Sequence, residues 1–401
     1  MRDGLPAVCL AVLLLLTTAV GNFAQEPPDP SKAGVRLVVL EGSPYNRGLT
    51  HGRTLKKEIN QVVGKWKAHL EADYKMKPDE FIAQFFKKTD FLPAIKKWTP
   101  DLLAEVRGIA DGAGVDFNTM LLFQLPDEEW VNAEAVTGEH CSGIGVNQQG
   151  KRPAMIAQNL DISGFYNGYQ TLLRIKDPHS DLETLVFTCA GLIALNGMSN
   201  KSVGVTVNTL AGLTHSTDGL PVAFVIRGLL EQKSQKDAIK FLHAVKHASG
   251  QNYILGGKEK VYDFECSAKR CARYIPFKNA QVVYHTNHPL ANDDVTDAYR
   301  QRRAEILARG TSRGRFHSLE SRLKDNFGSF DVDAVESTLK SHDSDQSPVC
   351  RRYRDDQDDF TFGSIIMIFS DKPELRLAAG PPDSKEYVAF SFSPHSAVAK
   401  K

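Results

Sequence analysis

The chain changes its hydrophobic period at Cys141, and that change limits the folds open to it. Ahead of it, apolar residues recur at helical spacing: Leu55, Ile59, Val62, Trp66 and Leu70 share one face. Behind it, segments 142–147, 154–161, 171–176 and 184–190 alternate with a period of two, as half-buried strands do. Segments 195–199 and 203–210 read as a hairpin around Asn200-Lys201. A helical pattern returns over 222–247. Strands resume at 251–255, 260–265, 270–276 and 281–285. A second helical block covers 293–339, and strands close the chain at 364–369, 374–378 and 387–392. Long runs of one type, without strict βαβ alternation, predict α+β layers with largely antiparallel sheets.

The helical half carries its own punctuation. Gly42-Ser43-Pro44-Tyr45-Asn46-Arg47-Gly48, with Gly52, reads as a turn that opens the first helix. Phe81, Phe85, Phe86 and Phe91 suggest a second, aromatic-rich helix. Thr99-Pro100-Asp101 predicts a helix start, with Thr99 as N-cap and proline at the first helical position. That helix should end near Gly112-Ala113-Gly114. These glycines and aromatic stripes are packing features with no chemistry of their own.

Residues 1–24 read as a signal peptide. Arg2 precedes a wholly apolar run over 7–16, and Gly21 and Ala24 offer cleavage points. The run is too short to span a bilayer, and no later segment replaces it, so a secreted or periplasmic protein without a membrane span is expected. A Pro-rich lead follows over 25–34. Acidic and basic side chains balance, 48 against 49, with no polybasic stripe, so nucleic acid is not an expected partner. Cys9 leaves with the signal, and the five cysteines left are an odd number, which points to a free thiol in an exported protein. Cys266 and Cys271 are close enough to pair locally; the alternative leaves all five reduced.

Cys141 lies in Glu139-His140-Cys141-Ser142-Gly143, at the opening of the β-rich half, and Asp161 follows one hairpin later. This arrangement suggests a chain cut ahead of its own nucleophile. The α-amine so released has an ordinary pKa of about 7.7–8.0 and can accept the thiol proton. His285 and His288 are spaced i,i+3, which does not aim two rings at one point on a strand or loop. No Cys or His cluster supplies further zinc ligands, so no metal or other cofactor is expected. Two other readings stay open. One is an unprocessed cysteine peptidase or amidase that pairs Cys141 with a histidine such as His285. The other is a catalytically dead secreted binding protein.

Several motifs, in order, carry a resemblance. They are Gly42 to Gly48 with Gly52, His140-Cys141-Ser142, Gln158-Asn159-Leu160-Asp161, the Asn208 hairpin and His285-Thr286-Asn287-His288. Arg300 with Arg303 and Gly380-Pro381-Pro382 complete the set. Together they resemble the acyl-CoA:6-aminopenicillanic-acid acyltransferase group of autoproteolytic N-terminal-nucleophile hydrolases, and more distantly bile-salt hydrolases and penicillin V acylases. The resemblance implies an α+β fold, the four-layer αββα sandwich. It implies cleavage between His140 and Cys141, with a helical segment 25–140 staying docked on a Cys-nucleophile chain 141–401 to complete one domain. Cys141 would attack, Asp161 would anchor the new amine, and Asn208 and Asn287 would hold the oxyanion. Arg300 would be the active-site arginine, with Arg303 on the same helix face. Gln158, Asn159, His288 and Arg303 would line the pocket. Gln158 stands where bile-salt hydrolases carry arginine, which favours the acyltransferase branch. The implied reaction is hydrolysis or transfer of an acyl group at a linear amide, through an acyl-thioester on Cys141. The substrate would be a small N-acyl amide or short peptide.

Overall fold

Helix α1 (Pro44–Thr54) occupies the stretch predicted as a turn, capped by Ser43 Oγ, which accepts from Asn46 N at 3.3 Å. Its glycines serve a crossing with α5 (Pro100–Ala113). A Cβ on Gly48 would stand 1.9 Å from Glu105 O, and one on Gly52 2.4 Å from Ile109 O. From α5, a Cβ on Gly108 would stand 2.2 Å from Tyr45 O and one on Gly112 2.6 Å from Leu49 O. Two backbones touch here, and glycine is what allows it. In this computed structural model, residues 34–132, 141–276, 281–325, 330–355 and 359–393 are described. The signal peptide expected over 1–24, and His140, lie outside them.

Between and after these helices come α2 (Lys56–Tyr74), α3 (Pro78–Lys88), α4 (Leu92–Trp98), α6 (Phe117–Phe123) and α7 (Pro126–Asn132). Helix α5 starts at Pro100 as predicted, but Thr99 does not cap it: its hydroxyl turns back to Ile95 O at 3.4 Å. The helical pattern over 222–247 breaks into α8 (Val222–Leu230) and α9 (Gln235–Ala244), the second capped by Ser234. The block over 293–339 forms α10 (Asp297–Arg309), α11 (Ser312–Asp325) and α12 (Val332–Leu339).

The strands form two sheets. One holds β1 (Arg36–Leu40), β4 (Gln170–Lys176), β5 (Glu183–Cys189), β6 (Asn196–Ser199), β7 (Val203–Thr209), β8 (Gln251–Gly256), β9 (Tyr262–Cys266) and β10 (Cys271–Tyr274), in that spatial order. The other runs β11 (Val282–His285), β2 (Ser142–Val146), β3 (Ala154–Ser163), β12 (Asp359–Phe369), β13 (Glu374–Ala378), β14 (Val388–Ser391). The pairings are antiparallel except β1 with β4.

The sheets face each other where β2 and β3 meet β7 and β8. Helices α8 and α9 cover β6, β7 and β8, while α11 and α12 cover β11, β2 and β3. The result is the four-layer αββα sandwich. The period-two pattern now has its reason. In β2, Ile144 and Val146 point to a core shared with Leu319, Leu323, Val335 and Leu339 of the outer helices. Gly143 and Gly145 point inward, where a Cβ would lie 2.8 Å from Ile254 and from Val283 respectively.

A buried ion cluster ties the helical layer together. Glu105 of α5 receives Arg227 of α8 at 2.7 Å and Arg47 of α1 at 3.1 Å. Burial works against its charge, yet the two guanidiniums hold the Glu105 pKa below the ordinary carboxylate value. Cys266 and Cys271 form the local disulfide, across directly opposed positions of β9 and β10. Cys141, Cys189 and Cys350 are buried and form no disulfide among the described residues. No helix among the described residues is long and apolar enough to cross a membrane.

Candidate active site

Cys141 precedes β2 and is fully buried, with Sγ 3.7 Å from the carbonyl oxygen of Asp161 on the neighbouring strand β3. The two residues predicted to act together are thus side by side. Asp161 Oδ1 accepts from Thr361 Oγ1 of β12 at 2.7 Å. Its Oδ2 has no hydrogen-bond donor among the described residues, and Arg351 Nε stands 3.8 Å away. Burial raises the Asp161 pKa to about 7 against the pull of Arg351.

A second arginine lies closer to the nucleophile. Arg315 of α11 is fully buried and donates from Nη1 to Cys141 O and to Ser142 Oγ (3.1 Å), and from Nη2 to Asn287 Oδ1 (2.9 Å). Burial lowers its pKa to about 10, still well above neutrality, so it keeps its charge. It bridges the nucleophile's own carbonyl to the loop after β11. Asn287 is fixed at three points: Oδ1 by Arg315, Nδ2 on Thr209 O at 3.1 Å, and its backbone N–H on Ser312 Oγ at 2.9 Å. Asn208 stands across the gap between the sheets. A Cβ on Gly143 would lie 3.2 Å from its Nδ2.

The loop holding Asn287 is anchored from β9. Glu265 accepts the backbone N–H groups of Leu290, Ala291 and Asn292 at 2.6–2.9 Å. It also meets His285 Nε2 at 2.8 Å, while His285 Nδ1 meets Thr286 O at 2.7 Å. Both ring nitrogens face acceptors, an arrangement that favours the doubly protonated ring. Desolvation pulls its pKa down, but Asp263 and Glu265 more than offset this and raise it. Neither nitrogen is left to take a thiol proton, so His285 is not placed as the base of an unprocessed cysteine peptidase.

A cavity opens behind this group, lined by the strand neighbours of Asp161 and Asn208 rather than by Cys141, Asp161, Asn208 or Asn287 themselves. Leu160 and Ile162, flanking Asp161 in β3, form one wall. Val207 and Thr209, flanking Asn208 in β7, form another, and Ile226 and Asp127 help close it. The space is mainly apolar, with few polar groups, as small-molecule sites commonly are.

Of the residues predicted for the site, Cys141, Asp161, Asn208 and Asn287 converge and Arg300 does not. Arg300 follows Tyr299, the buried residue of α10, and so faces solvent. It pairs with Asp297, and its side chain is 59 % exposed. Arg315 takes the position at Cys141 instead. A signal for it was present: Arg315, Leu319 and Leu323 are spaced by four and continue one buried stripe. Arg303 is likewise exposed. The expected pocket residues Gln158, Asn159, His288 and Arg303 do not line the cavity. Asn159 points to the outer helices, donating to Leu339 O and Val349 O. His288 Nδ1 meets Ser312 Oγ at 2.8 Å and supports the Asn287 loop. Gln158 lies between the sheets, with Nε2 3.1 Å from Asn208 Oδ1. Thr361 and Ser312 carried no sequence signal, because their partners lie far along the chain.

Residues 146–379 match the family model described as acyl-coenzyme A:6-aminopenicillanic acid acyl-transferase. Two proteins of Dictyostelium discoideum are similar. Protein dcd1A is 28 % identical over 138 residues, covering 29 % of this chain and 29 % of that protein. Protein dcd1B is 21 % identical over 339 residues, covering 74 % of this chain and 66 % of that protein. The chain thus spans less than two thirds of either relative's length. Among solved structures, a variant of conjugated bile acid hydrolase from Clostridium perfringens is 12 % identical, with a TM-score of 0.39, covering 63 % of this chain and 97 % of that one. Penicillin V acylase from Agrobacterium tumefaciens is 13 % identical, with a TM-score of 0.34, covering 59 % and 82 %.

Proposed function

This chain belongs to the acyl-coenzyme A:6-aminopenicillanic acid acyl-transferase family, and from that premise we propose that it is a cysteine amidase or acyltransferase that frees its own nucleophile by cleavage between His140 and Cys141. One observation carries the reading. Asp161 is a buried carboxyl beside Cys141, with one oxygen lacking a donor among the described residues. A new α-ammonium on Cys141 would supply both the donor and the charge that this oxygen lacks.

In self-cleavage the Cys141 thiol attacks the His140 carbonyl carbon, and the peptide C–N bond breaks as the acyl group moves to sulfur. Water then hydrolyses the thioester, leaving a carboxylate on His140 and a free amine on Cys141. In turnover that amine takes the thiol proton, and the thiolate attacks a linear amide. The oxyanion faces Asn208 and Asn287, each such donor being worth about 2.7–4 kcal/mol. The leaving amine takes the proton back and departs. Water, or a second amine in the transferase version, resolves the acyl-thioester. We assign the apolar cavity walled by the strand neighbours of Asp161 and Asn208 to the acyl part, and the substrate class is a small N-acyl amide or short peptide. Residues 1–24 support export to the secreted or periplasmic space. Hydrolysis is favoured over transfer, since an exported enzyme meets little coenzyme A.

The test compares intact mass and N-terminal sequence of purified wild type with Cys141→Ala. Two fragments from wild type, one beginning Cys-Ser-Gly-Ile, beside an uncut variant, are expected. A single uncut wild-type chain that still turns over N-acyl amides would overturn the free-amine mechanism.

A further inference from the structure

A row of buried amide side chains crosses the sandwich beside the nucleophile, and its chemistry gives it a direction. Asn196 Nδ2 donates to Gln158 Oε1 at 2.9 Å. Gln158 Nε2 donates to Asn208 Oδ1 at 3.1 Å and to the Val207 carbonyl. Asn208 Nδ2 donates to Asn252 Oδ1 at 3.1 Å, and Asn252 Nδ2 donates to Asp263 Oδ1. All five side chains are buried, and they come from β6, β3, β7, β8 and β9. Asn208 and Asn252 are directly opposed across their strands, so they share one face.

An amide can turn end for end, and nothing in Asn208 itself decides which end faces Cys141. Its neighbours decide. A carboxylate accepts and does not donate, so Asn252 must show Asp263 its NH₂ group. Asn252 then shows Asn208 an oxygen, and Asn208 must answer with Nδ2. At the other end, the Val207 carbonyl, also an acceptor only, turns the Gln158 NH₂ toward Asn208 Oδ1. The second Nδ2–H of Asn208 is left for the side of Gly143, two residues from the nucleophile. We propose that Asp263 is a positioning residue: through Asn252, its carboxylate fixes the Asn208 amide with its N–H toward the oxyanion formed at Cys141. This rests on the acyl-transfer reading given above. Asp263 touches neither Cys141 nor the cavity, so its effect would be invisible to a search around the nucleophile.

The test separates thiol access from oxyanion support. Iodoacetamide alkylates Cys141 by displacement at carbon and forms no oxyanion. A p-nitrophenyl ester of a medium-chain fatty acid acylates it through one. Both rates are read on the full-chain protein at about pH 8, with KM and kcat separated for the ester and thermal unfolding followed in parallel. Asp263→Asn removes the acceptor-only end. It should lower the acylation kcat about tenfold, the worth of one hydrogen bond's orientation, with KM and alkylation unchanged. Combining it with Asn252→Asp moves the carboxylate one place along the row and still demands Nδ2 from Asn208, so acylation should return to near wild type. Asn208→Ala should lose more, and adding Asp263→Asn to it should cost nothing further. Equal losses of alkylation and acylation, or no rescue by the paired exchange, would mean a structural role only and overturn the assignment. Unchanged acylation in Asp263→Asn would do the same while leaving the proposed function intact. A wild type that is alkylated but takes no acyl group would sink the proposed function and this assignment together.

Discussion

Arg315 donates to the Cys141 carbonyl, to Ser142 and to Asn287 together, so its removal would leave buried acceptors without donors and free the Asn287 amide to turn. Arg315→Met should therefore cut amide or ester turnover by about 10²-fold or more, the usual cost of a misplaced oxyanion donor. Arg300→Ala should leave turnover within about twofold, because its exposed pair with Asp297 contributes little. Steady-state kinetics on the two variants decides between them, and equal losses would refute the placement. At this scale Cys141, Asp161, Asn208 and Asn287 were legible through the family resemblance that the order and spacing of the motifs carry. The arginine was not, because α10 and α11 both carry arginines, and the stripe Arg315 shares with Leu319 and Leu323 marks burial without saying what the guanidinium meets.

The crossing of α1 and α5 shows what one element can demand of its sequence. Gly108 and Gly64 both lie within helices, and alanine has the higher helix propensity at either place. A Cβ on Gly64 meets nothing within 4 Å, whereas one on Gly108 would lie 2.2 Å from Tyr45 O and 2.7 Å from Leu49 N. Gly64→Ala should gain up to about 1 kcal/mol. Gly108→Ala should lose about 1–3 kcal/mol or more, since backbone must move to admit it. Urea unfolding of both variants reads the difference, and a gain at Gly108 would sink the account of the crossing. The glycine-rich stretch 42–52 looked like a turn for the same reason: glycine marks both turns and close backbone contacts, and only the partner helix tells them apart. Strands were more legible than helix boundaries. Their period survives burial on two sides, while the breaks at 231–234 and 310–311 carry little apolar pattern to read.

Across the whole molecule, buried titratable groups set an unusual pH response. Burial raises Asp161 and Asp263 to about 7 and Glu128 and Glu129 to about 8. A carboxyl raised on folding binds its proton more tightly in the native state, so its contribution is complete below the unfolded pKa and is lost as pH rises through the folded one. His51 and His247 are lowered to about 4 and His288 to about 3, again by burial. They remove stability as pH falls below their unfolded value of about 6.5. Uncut Cys141→Ala protein should therefore show a rising unfolding midpoint from about pH 8 to about pH 6.5, levelling off below as the histidines oppose the carboxyls. A midpoint that is flat or falls over that interval would refute the assignment of these groups. The sequence by itself left the Cys266–Cys271 pairing open and named Cys141, Asp161, Asn208 and Asn287 through a family resemblance; what it determined was the class of architecture and the point at which helix gives way to sheet. These follow from period, turn chemistry and spacing, which are local properties. Only the tertiary structure decided that Arg315 is the arginine at Cys141, that Gln158 belongs to a polar row between the sheets, and that Asp161 is buried with an oxygen to spare. Burial and hydrogen-bond partners are set by segments 200 positions apart and more, as Thr361 is from Asp161 and Ser364 from Asn159, and no local pattern records them.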